Sequence, residues 1–147
     1  MGNEFRLDGF NSTPSKDVRK VKKESFRMYY EDFEILLKFR NYKVIKEKIH
    51  DYNMSNAISD GLKLLSQKYP DIEKGKEKTK FRSGRRTYSD TNQEIKDTSC
   101  VLSFDDVDFI SDFVYYKIYN EGLVDYSKIE FVHEIVTLIK EHYSGKF

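Results

Sequence analysis

The chain carries a single cysteine, Cys100, so no intramolecular disulfide can form, which suits a reducing compartment. No apolar run exceeds four residues, far below the roughly 20 that a membrane-spanning helix needs. The opening residues Met1-Gly2-Asn3-Glu4-Phe5-Arg6 lack a basic-then-apolar signal pattern, and Arg6 stands where a myristoylation motif wants Ser or Thr. A cytoplasmic protein without a membrane anchor is the expectation. Histidines are few: His50, His133 and His142. Glu130 and His133 have the Glu-x-x-His spacing of di-iron bundles, but the sequence offers no second such pair, so both are expected on the solvent side of a helix. His50 is expected to interact with a helix C-terminal dipole. Cys100 shares strand parity with Leu102 and Phe104 and is expected to be buried. Gly75-Lys76 lacks the flanking residues of a phosphate-binding loop. Acyl-transfer, hydride and phosphoryl machinery cannot be assembled from these residues, and a non-enzyme with no cofactor and no metal is expected.

Charge is abundant and unevenly placed. Residues 1–96 hold 22 Lys and Arg against 15 Asp and Glu, a net +7, whereas residues 97–147 hold 4 against 10, a net −6. The first part should meet anions, because Lys and Arg contacts to phosphates supply most non-specific affinity for DNA. The second should repel them.

The most patterned stretch runs from Lys22 to Tyr69. In Lys23-Glu24-Ser25-Phe26-Arg27-Met28, strand alternation puts Phe26 and Met28 on one face and Lys23, Ser25 and Arg27 on the other. From Glu31 the period becomes helical, with Phe33, Leu36, Leu37, Val44, Ile45 and Ile49 on one stripe. Asn53-Met54-Ser55 interrupts it. Ser55 is a good N-cap for a second helix through Ile58, Leu62 and Leu65, and Pro70 stops that helix near Tyr69.

Strand, connector, cap and second helix in this order resemble the ribbon-helix-helix DNA-binding proteins of the Arc and MetJ superfamily. The resemblance rests on Ser25-Phe26-Arg27-Met28, Glu31-Asp32-Phe33, and Met54-Ser55 opening Ala57 to Leu65. It implies two antiparallel strands in a major groove and a second helix aimed at a phosphate. Carried over by position, Lys23, Ser25 and Arg27 would contact bases, and Lys22, Ser55 and Asn56 would contact phosphates. From Phe26 to Ser55 the chain exceeds the family's usual spacing by about two helical turns, which predicts a longer first helix or a break near Arg40 to Tyr42. The alternative is an αβ fragment whose strand packs only on its own helices.

Residues 1–20 show no period and read as a flexible arm with a basic end, either a solvated tail or a phosphate-touching extension. Residues 70–97 read as a basic linker, expected to be disordered over 74–86, with Arg82, Arg85 and Arg86 either in a minor groove or in a soluble spacer. The acidic remainder, 98–147, repeats the first pattern. Ser99-Cys100-Val101-Leu102-Ser103-Phe104 is a strand, Asp108-Phe109 echoes Asp32-Phe33 after 76 residues, and Val136 to Ile139 and Tyr143 echo Leu62 to Leu65 and Tyr69 after 74. Gly122 should end the intervening helix. Duplication and two unrelated helical segments both remain open. The second strand carries Ser99, Val101 and Ser103 outward, with carboxylates beside them, and should pair protein with protein, through the first strand of the same chain or through its twin. The aromatic residues sit mostly at apolar helical positions and are expected in the core rather than stacked on bases.

These readings give an α+β, mostly helical protein: an arm over 1–20, a ribbon-helix-helix unit over 21–69, a linker over 70–97 and an acidic strand-helix-helix unit over 98–147. The expected function is sequence-specific double-stranded DNA binding as a homodimer or higher homo-oligomer. Tandem members of the family resemble plasmid transfer-origin accessory proteins, whose partner would be a relaxase or another plasmid protein. An autoregulating repressor or a centromere-binding partition protein is the second expectation, and a protein-binding adaptor the third.

Overall fold

The computed structural model describes residues 21–81 and 94–147; the expected arm and Arg82, Arg85 and Arg86 lie outside the described residues. The order is β1 (Val21–Tyr29), α1 (Tyr30–Ile45), α2 (Met54–Lys68), β2 (Ile95–Ser103), α3 (Phe104–Tyr115) and α4 (Lys128–His142). A π-helical turn, Tyr116–Asn120, continues α3. Among the described residues the fold is α+β and mostly helical, with a two-stranded antiparallel sheet. No described helix is long and apolar enough to cross a membrane.

β1 pairs with β2 antiparallel, from Val21 opposite Ser103 to Tyr29 opposite Ile95. Of the two pairings left open by the sequence, this is the one within a single chain. Alternation does the rest: Phe26, Met28, Cys100 and Leu102 are buried on one face, and the intervening side chains face away. A two-stranded ribbon alone is marginal in water. Here its apolar face joins Ile58, Leu62, Phe131, Val132 and Ile135 in one core.

A single offset of 74 residues relates every element of the first unit to the second: β1 to β2, the start of α1 to that of α3, and α2 to α4. Asp32 therefore corresponds to Asp106, not to Asp108, and the match at 76 is corrected. Phe39, Lys43, Glu47, Tyr52 and Tyr69 recur as Phe113, Lys117, Glu121, Tyr126 and Tyr143. Their contacts recur too. Lys43 pairs with Glu47 at 2.9 Å and Lys117 with Glu121 at 3.1 Å. Tyr52 donates to Asp60, and Tyr126 to Glu134. The units interlock: Tyr143 packs on Phe39 and Tyr69 on Phe113, with ring centroids 4.8 and 5.4 Å apart.

Two residue pairs lie on the resulting pseudo-twofold axis, because each joins a residue to its own equivalent. Ser25 is opposite Ser99 in the ribbon. Gly61 of α2 faces Ile135 of α4, where a Cβ on Gly61 would overlap the Ile135 Cγ2. The β-branched Ile135 has little rotamer freedom in a helix, so it cannot easily yield. Gly61→Ala is expected to destabilise the fold by about 1–3 kcal/mol despite the better helix propensity of alanine. Urea denaturation checks this, and the loss in Gly61→Ala with Ile135→Ala should be smaller than the sum of the two single losses, because each relieves the other.

Several expectations are corrected. α1 runs unbroken to Ile45, and the extra length between Phe26 and Ser55 is divided between this helix and the connector over residues 46–53. Ile45 and Ile49 are exposed rather than packed, and His50 sits in the connector, not at the helix end. Lys48 there has φ 61°, matched by its equivalent Gly122 at φ 76°, which does follow the end of its helix. Asn53, not Ser55, caps α2, through a reciprocal box with Asn56; Ser127 and Glu130 form the equivalent box on α4. Glu130 is thus a capping residue. The second strand begins at Ile95, and Phe104 opens α3. Residues 74–81 of the expected disordered stretch pack on the second unit: Lys78 pairs with Asp108 at 2.9 Å, and the Phe81 ring lies 5.2 Å from that of Phe131.

Candidate nucleic-acid interface

The outward face of the ribbon brings together Lys23 with Val101, Ser25 with Ser99, and Arg27 with Asp97. Lys23, Ser25, Ser99 and Val101 are exposed. Arg27 is half-buried, since its guanidinium forks onto the Asp97 carboxylate, Nε to Oδ1 at 2.7 Å and Nη2 to Oδ2 at 3.0 Å. Hydrogen bonding from Arg27 holds the Asp97 carboxyl below the usual carboxylate range. Lys22 lies at the strand start, 3.5 Å from Glu24.

The first turns of α2 and α4 flank this face at its two edges. Ser55 accepts the Val101 N–H on its hydroxyl at 2.9 Å, and Lys128 donates to the Ser25 carbonyl and hydroxyl at 2.5 and 3.3 Å. Each helix start thereby covers the outer edge of the other unit's strand, which would otherwise present unpaired groups. Burial pushes the Lys128 ammonium to a lower pKa than usual. Asn56 is exposed, with its side-chain oxygen committed to the Asn53 N–H. Of the expected phosphate contacts, Ser55 and Asn56 therefore already serve the fold. Asp97 and Lys128 were missed by the sequence reading; strand parity across a 74-residue repeat would have placed Asp97 on the outward face.

Behind the ribbon, the equivalent positions Asp32 and Asp106 each tie a first helix to the other unit's second helix. Asp32 is buried and meets His133 Nδ1 at 3.0 Å, and Asp106 accepts from the Ser59 hydroxyl at 2.8 Å. His133 is exposed, as expected for the solvent side of α4, and also makes this inter-unit contact. Cys100 is buried under the ribbon, and burial pushes its thiol up in pKa. Among the described residues no group of three or more His, Cys, Asp and Glu is placed to hold a metal ion.

Comparison with protein-family models, with curated proteins and with solved structures returns no match.

Proposed function

We propose that this chain binds double-stranded DNA as a ribbon-helix-helix protein whose two half-ribbons come from one polypeptide. The observation that carries the reading is the intrachain antiparallel ribbon with Lys23, Ser25 and Arg27 on its outward face. A two-stranded ribbon fits the major groove, about 12 Å wide, and helix first turns on either side favour anions. Lys22 and Lys23 at one end of β1 add charge for the phosphates. The role we propose is that of a transfer-origin accessory protein of a conjugative element, with repression or plasmid partition as the second assignment. The adaptor reading draws on the exposed Val101 and Phe104, 53% and 49% accessible.

A gel shift on duplex DNA across a salt series tests the class. Log affinity should fall against log salt with a slope of about −0.9 per phosphate neutralised. A slope near zero, or no shifted band at low salt, removes the DNA-binding reading and favours the adaptor.

A further inference from the structure

We infer that the duplex read by this ribbon is not an inverted repeat, and that Asp97 and Val101 determine the half that differs; this rests on the DNA-binding reading. In a ribbon of two identical strands, the pairs on either side of the axis are equal, and both halves of the target must be equal too. Here the axis passes through Ser25 and Ser99, and the 74-residue offset maps Lys23 onto Asp97 and Arg27 onto Val101. Only the central serines are the same on both sides. The flanking pairs are Lys23 with Val101 and Arg27 with Asp97, so the two strands present different chemistry to the groove.

That chemistry assigns the bases each strand accepts. The ammonium of Lys23 and the guanidinium of Arg27 suit the acceptor edge of guanine, O6 and N7. The Val101 methyl groups suit the thymine methyl. The Asp97 carboxylate accepts from the cytosine amino group and repels an acceptor edge, so it disfavours guanine where β1 favours it. Asp97 has a second effect as a positioning residue, because its bidentate grip at 2.7 and 3.0 Å fixes the plane of the Arg27 fork. Both second-strand residues are accessible: the Asp97 side chain is 62% exposed and Val101 53%.

Selection of the full chain on a randomised duplex library tests this, alongside the variant Asp97→Lys with Val101→Arg, which gives β2 the outward residues of β1. The wild type should enrich a site with unlike halves and prefer it over either half's inverted repeat by about tenfold or more. The double variant should enrich an inverted repeat of the guanine-bearing half and still melt cooperatively, somewhat below the wild type, because both positions are exposed but the Arg27–Asp97 pair is replaced by like charges across the ribbon. An inverted repeat selected by the wild type overturns the inference while leaving DNA binding intact. So does an unchanged consensus for the folded double variant. Failure of the wild type to retain any duplex at low salt is a different result, and removes the DNA-binding reading together with the inference.

Discussion

Lys117→Ala is expected to cost about 3–5 kcal/mol, because it strips the positive charge from a buried network and leaves its acceptors behind. Lys117 is 5% exposed and donates to Tyr69 Oη and Glu121 Oε1, each at 3.1 Å, while its ammonium lies 3.1 Å from Glu134 Oε1. Burial alone would lower its pKa; the hydrogen bonds to Tyr69, Glu121 and Glu134 outweigh that and raise it. Tyr126 donates to the same Glu134 at 2.7 Å, and burial, then the Glu134 charge, pushes its hydroxyl up as well. Both groups stay protonated in the fold beyond their unfolded values, 10.0 for Tyr and 10.5 for Lys, so their contribution is complete below those values and is lost as pH rises through the folded ones. Urea midpoints of the wild type should hold up to about pH 10 and fall above it. Lys117→Ala should start far lower and show a shallower alkaline fall. A loss below about 1 kcal/mol would mean that water replaces the ammonium without penalty.

The parts of this fold that the sequence made legible are those governed by local periodicity. Parity in Lys23 to Met28 is right, as is the apolar stripe through Ile58, Leu62 and Leu65, and Tyr143 does stand to its unit as Tyr69 stands to the first. The failures come where a tertiary contact decides. Ser55 looks like a cap because its type suits one, yet Asn53 takes that position and Ser55 is spent on the neighbouring strand's N–H. Ile45 and Ile49 fit a helical stripe, but the core ends before them and Lys43 lies at 8% accessibility, its ammonium over the rings of Phe39, Tyr52 and Tyr143. Buried lysines break the apolar pattern that periodicity searches for. Of the two offsets the sequence suggests, 74 from the second helices holds throughout and 76 from the Asp-Phe pair does not; aligning Lys43-Glu47-Tyr52 with Lys117-Glu121-Tyr126 gives 74 without gaps. Of the candidate interface, the basic strand was legible and its opposite number was not, since the pairing of Arg27 with Asp97 depends on which strand β1 chooses.

Substituting the neighbours Phe26 and Arg27 should separate stability from recognition. Phe26 is 2% exposed and stacks on Phe131 at 6.2 Å, so Phe26→Ala should cost about 3–5 kcal/mol and lose DNA binding only as the fold melts. Arg27 points the other way, with its side chain 41% exposed. Its pair with Asp97 is a surface pair worth about 0–1 kcal/mol, so Arg27→Ala should barely move the melting temperature. Its effect on the selected duplex should be about ten- to a hundredfold, the value of one bidentate base contact. The structure adds a second expectation: removing Arg27 unmasks Asp97, whose charge then faces the duplex and weakens non-specific binding as well. Arg27→Ala with Asp97→Ala should restore the non-specific part and leave the specific part lost. Melting curves and gel shifts on the selected and a scrambled duplex distinguish these effects. If Arg27→Ala unfolds the chain while sequence preference is unchanged, Arg27 belongs to the fold rather than to the reading face, and the outward parity of β1 is wrong.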